Sequence, residues 1–400
     1  MIFLFSLLLI PMDETQTDHL RAYGVTYHVL KEGFEAEWLL NYRGGSFLLP
    51  DLPDIRKLCE RMGVRYEVLS QDEVNDIYAL MERENMERVV LEKAPRIAVY
   101  IPEREGPWDD AVCLAMEYAG IPYDRIYDED ILRGKLKKYD WIHLHHEDFT
   151  GQFGKFYRSY RHTRWYKEMV ASDTKIARKF GFSKVWQLKH RVAEEIRRYV
   201  LEGGHLFAMC SAPITLDIAL ATGDQDIVPA EIDGDGYNEN PVLDFSRTFA
   251  FKDFHLVFPI GVYEHSDVDV TMEAVHRGPG ARFVLREFSA KRDVLPTILV
   301  QNHTRRIKEF LGQDTGFRRD KIKGDVIILA DIPGTEEVKY ICGERGKGTF
   351  SFLGGHDPED YQHFVGDPPT RLELHKNSPG YRLILNNILL PAARREKLKT

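Results

Sequence analysis

One cysteine in the chain has a setting suited to nucleophilic chemistry. Cys210 follows the run Gly203-Gly204-His205-Leu206-Phe207-Ala208-Met209 and precedes Ser211-Ala212. An apolar strand, a reactive side chain and then a helix make the pattern of a nucleophile elbow. Such a turn lifts the side chain above a sheet and leaves free backbone amides beside it. Backbones crowd there, so small residues are needed two positions to either side. Ala208 and Ala212 fill these places, where the motif prefers Gly. A thiol at a helix N-terminus should have a lowered pKa, because the helix dipole favours the thiolate. Ser211 would then border the substrate. The competing reading is a buried structural cysteine, since cysteine is among the most buried residue types.

A base for that thiol is offered late in the chain. Gly348-Thr349-Phe350-Ser351-Phe352-Leu353 reads as a strand that ends in Gly354-Gly355-His356-Asp357-Pro358-Glu359. An imidazole at a strand end can take a thiol proton and return it to a leaving amine. Asp357 or Glu359 would orient the ring. The competing reading is a turn histidine.

A third group is His143-Leu144-His145-His146-Glu147-Asp148-Phe149-Thr150-Gly151, at the carboxyl end of a predicted strand. Ligands bind at that edge of open α/β sheets. Strand alternation puts His143 and His145 on one face and turns His146 away. Two imidazoles and a carboxylate suit zinc or iron, but sheet histidines are often only hydrogen-bonded. His145, His146, Glu147 and Asp148 are therefore read as substrate-lining, with no metal and no cofactor assigned. Gly151 is read as part of the same lining. The basic and aromatic residues of Lys155–Lys167 read as a solvated helix beside the pocket. Gly343–Thr349 lacks the Lys-Ser/Thr pair of a phosphate loop and reads as a hairpin turn.

The elements around these groups predict an α/β fold. Ile97–Ile101, Tyr123–Tyr127, Asp140–His145 and His205–Met209 are short apolar runs separated by helical patterns, which implies a mostly parallel, doubly wound sheet. One helix is expected from Ser183, with Val185, Leu188, Val192, Ile196 and Val200 on one face. The chain divides into an N-terminal α/β segment (1–94), a core in two parts (95–215 and 326–400), and a β-rich insertion (216–325). Within the insertion, Thr248–Phe251, His255–Phe258, Val268–Met272 and Thr297–Val300 read as strands and Thr304–Leu311 as a helix.

Composition narrows the function classes. The 400 residues carry a net charge of -9 from 54 basic and 63 acidic side chains. An acidic surface repels phosphate backbones, so a small-molecule substrate is expected rather than nucleic acid. Cys59, Cys113, Cys210 and Cys342 form no C-x-x-C pair and no disulfide framework. The apolar run Ile2–Ile10 is too short to span a bilayer and lacks a basic flank. It reads as a buried first strand, which favours the cytoplasm, with export through a shortened signal as the alternative. Oligomeric state is not legible.

The Gly-Gly, apolar strand, Cys210, helix segment resembles the class I glutamine amidotransferase-like superfamily, which includes the ThuA-like branch. The resemblance covers residues 96–215 and 326–392. It implies a flavodoxin-like core, Cys210 as nucleophile, His356 as base and the Gly151 amide as an oxyanion donor. The family's orienting carboxylate stands two residues after the histidine, where this chain has Pro358. Many ThuA-like proteins lack the thiol, which makes a non-catalytic carbohydrate-binding protein the rival expectation. The stretches Ile10-Pro11-Met12-Asp13-Glu14-Thr15-Gln16, Trp38-Leu39-Leu40-Asn41-Tyr42-Arg43-Gly44-Gly45-Ser46 and His145–Gln152 also resemble a bacterial family often labelled asparagine synthetase B. That chemistry needs an N-terminal cysteine and a Ser-Gly-Gly-x-Asp-Ser loop, and neither is present. The expected function is a Cys/His hydrolase or amidotransferase-like enzyme acting on an amide or similar small substrate. The alternatives are the binding protein and a metal-dependent hydrolase built on His143 and His145.

Overall fold

The structure, a computed structural model, describes residues 6–104 and 106–394. The first strand expected within Ile2–Ile10 is present as β1 (Leu7–Ile10); residues 2–5 of that run lie outside the described residues. Two sheets organise the chain. The first is antiparallel, with β2 (Ala36–Leu40), β3 (Ser46–Pro50), β4 (Glu67–Leu69) and β5 (Glu87–Leu91) in the order β4-β1-β3-β2-β5. Its β2–β3 hairpin turns through Gly44 and Gly45, both at positive φ. A Cβ on Gly44 would lie 2.3 Å from the Met12 carbonyl oxygen, so only glycine fits this turn.

The second sheet has ten strands. They are β6 (Ile97–Tyr100), β7 (Asp124–Ile126), β8 (Trp141–Leu144), β9 (His205–Met209), β10 (Arg282–Leu285), β11 (Arg306–Lys308), β12 (Phe317–Arg318), β13 (Ile327–Asp331), β14 (Glu337–Arg345) and β15 (Gly348–Leu353). Five are parallel, in the order β7-β6-β8-β9-β15. From β15 the sheet continues antiparallel through β14, β13, β10 and β11, with β12 pairing β14. The whole is a mixed α/β structure.

Both faces of the parallel strands are buried, which is why they read as continuous apolar runs. Ile97, Val99, Trp141, Phe207 and Met209 share a core with the helices His19–Lys31, Ala111–Ala119 and Pro379–Leu389. Ala98, Tyr100, Ile142, Leu144, Leu206 and Ala208 share the opposite core with the helices Val185–Leu201 and Ala212–Thr222. Phe207 is fully buried, and truncating it to Ala would cost about 3–5 kcal/mol.

The segment 216–325 differs from its expectation. Only β10, β11 and β12 are strands there, and all three belong to the core sheet rather than to a β-rich unit of their own. Thr297–Val300 falls on the helix Val294–Leu299, and Val268–Met272 runs into the helix Thr271–Arg277. Thr248–Phe251 and His255–Phe258 carry isolated bridges only. Short apolar runs do not distinguish helix from strand by periodicity. Thr304–Leu311, expected as a helix, contains β11. Ile307 turns inward between exposed Arg306 and Lys308, the period of a strand edge.

Candidate functional site

The carboxyl ends of β6, β8, β9 and β15 lie side by side, and the side chains just beyond them converge. β9 delivers Cys210 with φ at +52°, a left-handed conformation that costs a non-glycine residue about 1–2 kcal/mol. The turn is held on both sides. The Cys210 amide donates to the Gly355 carbonyl at 3.2 Å, and the Ala212 amide donates to the His145 carbonyl at 3.2 Å. Ala208 and Ala212 are fully buried, in keeping with the crowding expected there. The Gln313 amide lies 3.4 Å from the Cys210 sulfur as its donor. Burial pushes the thiol up to about 12, against the expectation of a helix-lowered value.

β8 delivers the histidines. His143 is fully buried, its Nδ1 3.1 Å from the Phe207 carbonyl oxygen. His145 places Nδ1 3.2 Å from an Asp110 oxygen, while its Nε2 is buried and has no hydrogen-bond partner. His146 stacks on His145 at 4.0 Å between centroids, and its Nε2 lies 2.8 Å from the Asp109 carbonyl oxygen. Alternation correctly sends His143 and His145 to one face. The chain leaves the strand at Leu144, so His146 is not turned away but joins them.

β15 delivers His356 through the Gly354-Gly355 pair. A Cβ on Gly355 would meet the Phe310 ring at 2.6 Å and its carbonyl at 2.7 Å, and the residue's φ is +93°. The strand end therefore requires glycine. The His356 ring lies 4.8 Å from those of His145 and His146, and its buried Nε2 is also without a partner. One donor atom from each of His145, His146, Cys210 and His356 lies within 4.8 Å of the other three. Burial first, and neighbouring imidazoles second, hold His146 and His356 well below the usual histidine range, so both rings are neutral.

Asp110 organises the cluster from β6. Its carboxylate caps the helix Ala111–Ala119, accepting from the Val112 and Cys113 amides at 2.8 and 3.1 Å, and faces both His143 and His145. Burial pushes its carboxyl up, but the two imidazoles outweigh this and hold it well below the carboxylate range. Sequence reasoning missed Asp109 and Asp110. The available signal was an Asp pair just before a helix, beyond the first parallel strand.

The remaining expected residues are dispersed in role. Asp357 accepts from the Tyr381 hydroxyl at 2.8 Å and from the Glu359 amide at 2.9 Å, and Glu359 pairs with His375 at 3.2 Å. Neither carboxylate bonds His356. Asp148 shapes the loop after β8, accepting from Thr150 and the Gly154 amide at 2.8 Å and facing His265 at 3.3 Å. Gly151, at φ +82°, packs on the helix Val185–Leu201, where a Cβ would lie 2.7 Å from the Trp186 Cα. Ser211 is fully buried beside Cys210, and its hydroxyl is unpaired. His146 and Glu147 line a small pocket with Arg104, Trp108, Phe156 and Lys189. Burial pushes the Glu147 carboxyl up to about 7.

No family model matches the chain, and no curated protein matches it. Among the described residues, no helix is long and apolar enough to cross a membrane. The cytoplasmic proteins STM3548 and STM1381 of Salmonella typhimurium are each 12% identical to the chain at a TM-score of 0.37. Each comparison covers 75% of this chain and 100% of the other. A β-galactosidase from Bacillus circulans sp. alkalophilus is 12% identical at a TM-score of 0.28, covering 71% of this chain and 31% of that one.

Proposed function

We propose that the protein is a metal-dependent hydrolase whose centre is His145, His146, Cys210 and His356. The observation that carries this reading is the convergence of three imidazoles and a thiol within 4.8 Å, with the His145 and His356 Nε2 atoms buried and unpartnered. A buried polar atom left without a partner costs about 1–3 kcal/mol, so two in one place call for a ligand. Three nitrogens and a sulfur suit a borderline dication of the zinc class. Asp110 on His145 Nδ1 is the outer carboxylate that such ligands use to fix the ring. The ion would supply Lewis acidity and an activated water to an amide or similar bond. The chain would admit the substrate through the pocket walled by Arg104, Trp108, Glu147 and Phe156.

The parallel order β7-β6-β8-β9-β15 supports a doubly wound, flavodoxin-like core. The centre then sits where ligands bind such sheets, beside the reversal of strand order between β6 and β8. This is also the setting of the amidotransferase-like resemblance. A second reading, Cys210 as nucleophile with His356 as base, is favoured by the left-handed turn at Cys210. Against it stand the thiol at about 12 and the absence of a carboxylate on His356.

Metal content of the purified protein tests the choice. At least one equivalent per chain is expected, released by EDTA, and the equivalent that Cys210 binds should be missing from Cys210→Ala. Iodoacetamide should then alkylate Cys210 slowly before EDTA and faster after it. A metal-free protein whose Cys210 is alkylated much faster than Cys59 or Cys113 overturns the metal reading in favour of the nucleophile.

A further inference from the structure

We infer that the chain holds a second divalent cation beside the first, on Asp109 and His363 with His356 shared between the two. One donor atom from each of these three residues lies within 4.8 Å of the other two. Both Asp109 carboxylate oxygens are buried and lack a donor, as does His363 Nε2. His363 Nδ1 is bonded to Asp360 at 2.9 Å, which sets the ring so that Nε2 faces Asp109. The Nε2–Oδ1 separation is 2.9 Å, yet neither atom is satisfied by a hydrogen bond. The contact is an ion-pair distance without the angle of a hydrogen bond. About 2.9–3.4 Å is the spacing of adjacent ligands around an ion that each approaches at about 2.0–2.1 Å.

The surroundings are built for such a site. The His363 ring is 3% exposed and stacks on His356 at 4.6 Å between centroids. Asp109 stands on the loop after β6 and His363 on the loop after β15. The Gly366 amide ties these loops together by donating to the Pro107 carbonyl at 2.8 Å. Asp360 stands behind His363 as Asp110 stands behind His145. An imidazole has two ring nitrogens, so His356 can ligate both ions, its remaining ring proton leaving to solvent as the second ion binds. The first site offers four protein donors and the second three. The second therefore keeps an open position for water, which it would activate alongside the first ion, whose four-donor shell takes a water only by expanding to five ligands. That role, though not the site, rests on the hydrolase reading.

Stoichiometry with zinc and cobalt decides it. EDTA-stripped protein is dialysed against ZnCl2 or CoCl2, bound metal is counted per chain, and circular dichroism verifies folding of each variant. Two equivalents are expected. Asp109→Asn and His363→Ala should each leave one, with the thiolate-to-cobalt charge-transfer band intact. Cys210→Ala should lose that band and retain the equivalent that depends on Asp109. One equivalent that is unmoved by Asp109→Asn and His363→Ala overturns the second site and leaves the first. One equivalent lost in Asp109→Asn but kept in Cys210→Ala upholds the second site and removes the first. No metal under either condition overturns both.

Discussion

His145 and His363 are arranged alike. Each gives Nδ1 to a carboxylate, Asp110 or Asp360, and leaves Nε2 facing the space between the loops. An imidazole fixed in this way has one tautomer and one direction, which raises its basicity as a ligand. Asp110 also caps a helix, so its two duties can be separated. Asn is as good an N-cap as Asp. Asp110→Asn should therefore shift the melting temperature little, while zinc affinity in a chelator competition drops about 10–100-fold. An equal loss in an Ala variant that also melts early would show only that the helix start had been damaged. Cys210 illustrates the opposite relation between residue and surroundings. Its thiol is buried and pushed up to about 12, so position alone does not make it reactive.

At the scale of elements, His145, His146, Cys210 and His356 each stand within three positions of the end of a parallel strand, and glycine makes the placement of His356 possible. Gly354 and Gly355 let β15 end against the loop 310–316, where a Cβ on Gly354 would lie 2.3 Å from the Thr315 carbonyl oxygen. The same loop offers the Gln313 amide to Cys210 and is pinned by Lys339, whose ammonium donates to the Phe310 and Thr315 carbonyls at 2.6 and 2.7 Å. Gly355→Ala should destabilise the protein by about 1–3 kcal/mol, since it adds both a left-handed penalty and a clash with Phe310. Because Gly355 precedes His356, the variant should also weaken zinc binding. Urea unfolding combined with a zinc titration measures both effects, and a variant as stable as the parent would refute the packing argument. Gly151 behaves similarly on the loop after β8, where contact with Trp186 explains the glycine without any role in catalysis.

At the scale of the molecule, histidines outside the candidate centre are also buried. His19 and His190 are both pushed down from 6.5 to about 4, burial being the main cause. His19 also feels the Arg382 guanidinium, and His190 is bonded to the Gly223 carbonyl. A histidine whose folded-state value is depressed takes up its proton more readily when unfolded. The stability it contributes is full above pH 6.5 and is lost as pH falls toward 4. At about 1.4 kcal/mol per unit, these two groups together account for on the order of 7 kcal/mol of acid sensitivity. The urea midpoint should be flat above pH 7 and fall steeply between pH 6.5 and 4. His190→Gln should lessen that fall, and an unchanged slope in the variant would exclude His190 as a contributor.

The sequence by itself determined the parallel core. Its strands are buried on both faces, and continuous apolar runs between amphipathic helices carry that signal locally. Cys210 at its turn, His356 after two glycines and the histidines after β8 were legible for the same reason, because each follows the end of such a run. Only the tertiary structure decided what these residues meet. Asp109 and Asp110 come from a loop 100 positions before Cys210 in the chain, and His363 from a loop with no motif of its own. Asp357 and Glu359, close to His356 in sequence, are drawn off by Tyr381 and His375. The segment 216–325 was misread because its short apolar runs are shaped by the core sheet and by neighbouring loops, and nothing local records those contacts. Strand order brought four carboxyl ends together, and that meeting set the cysteine expected to work with His356 among His145 and His146 as well.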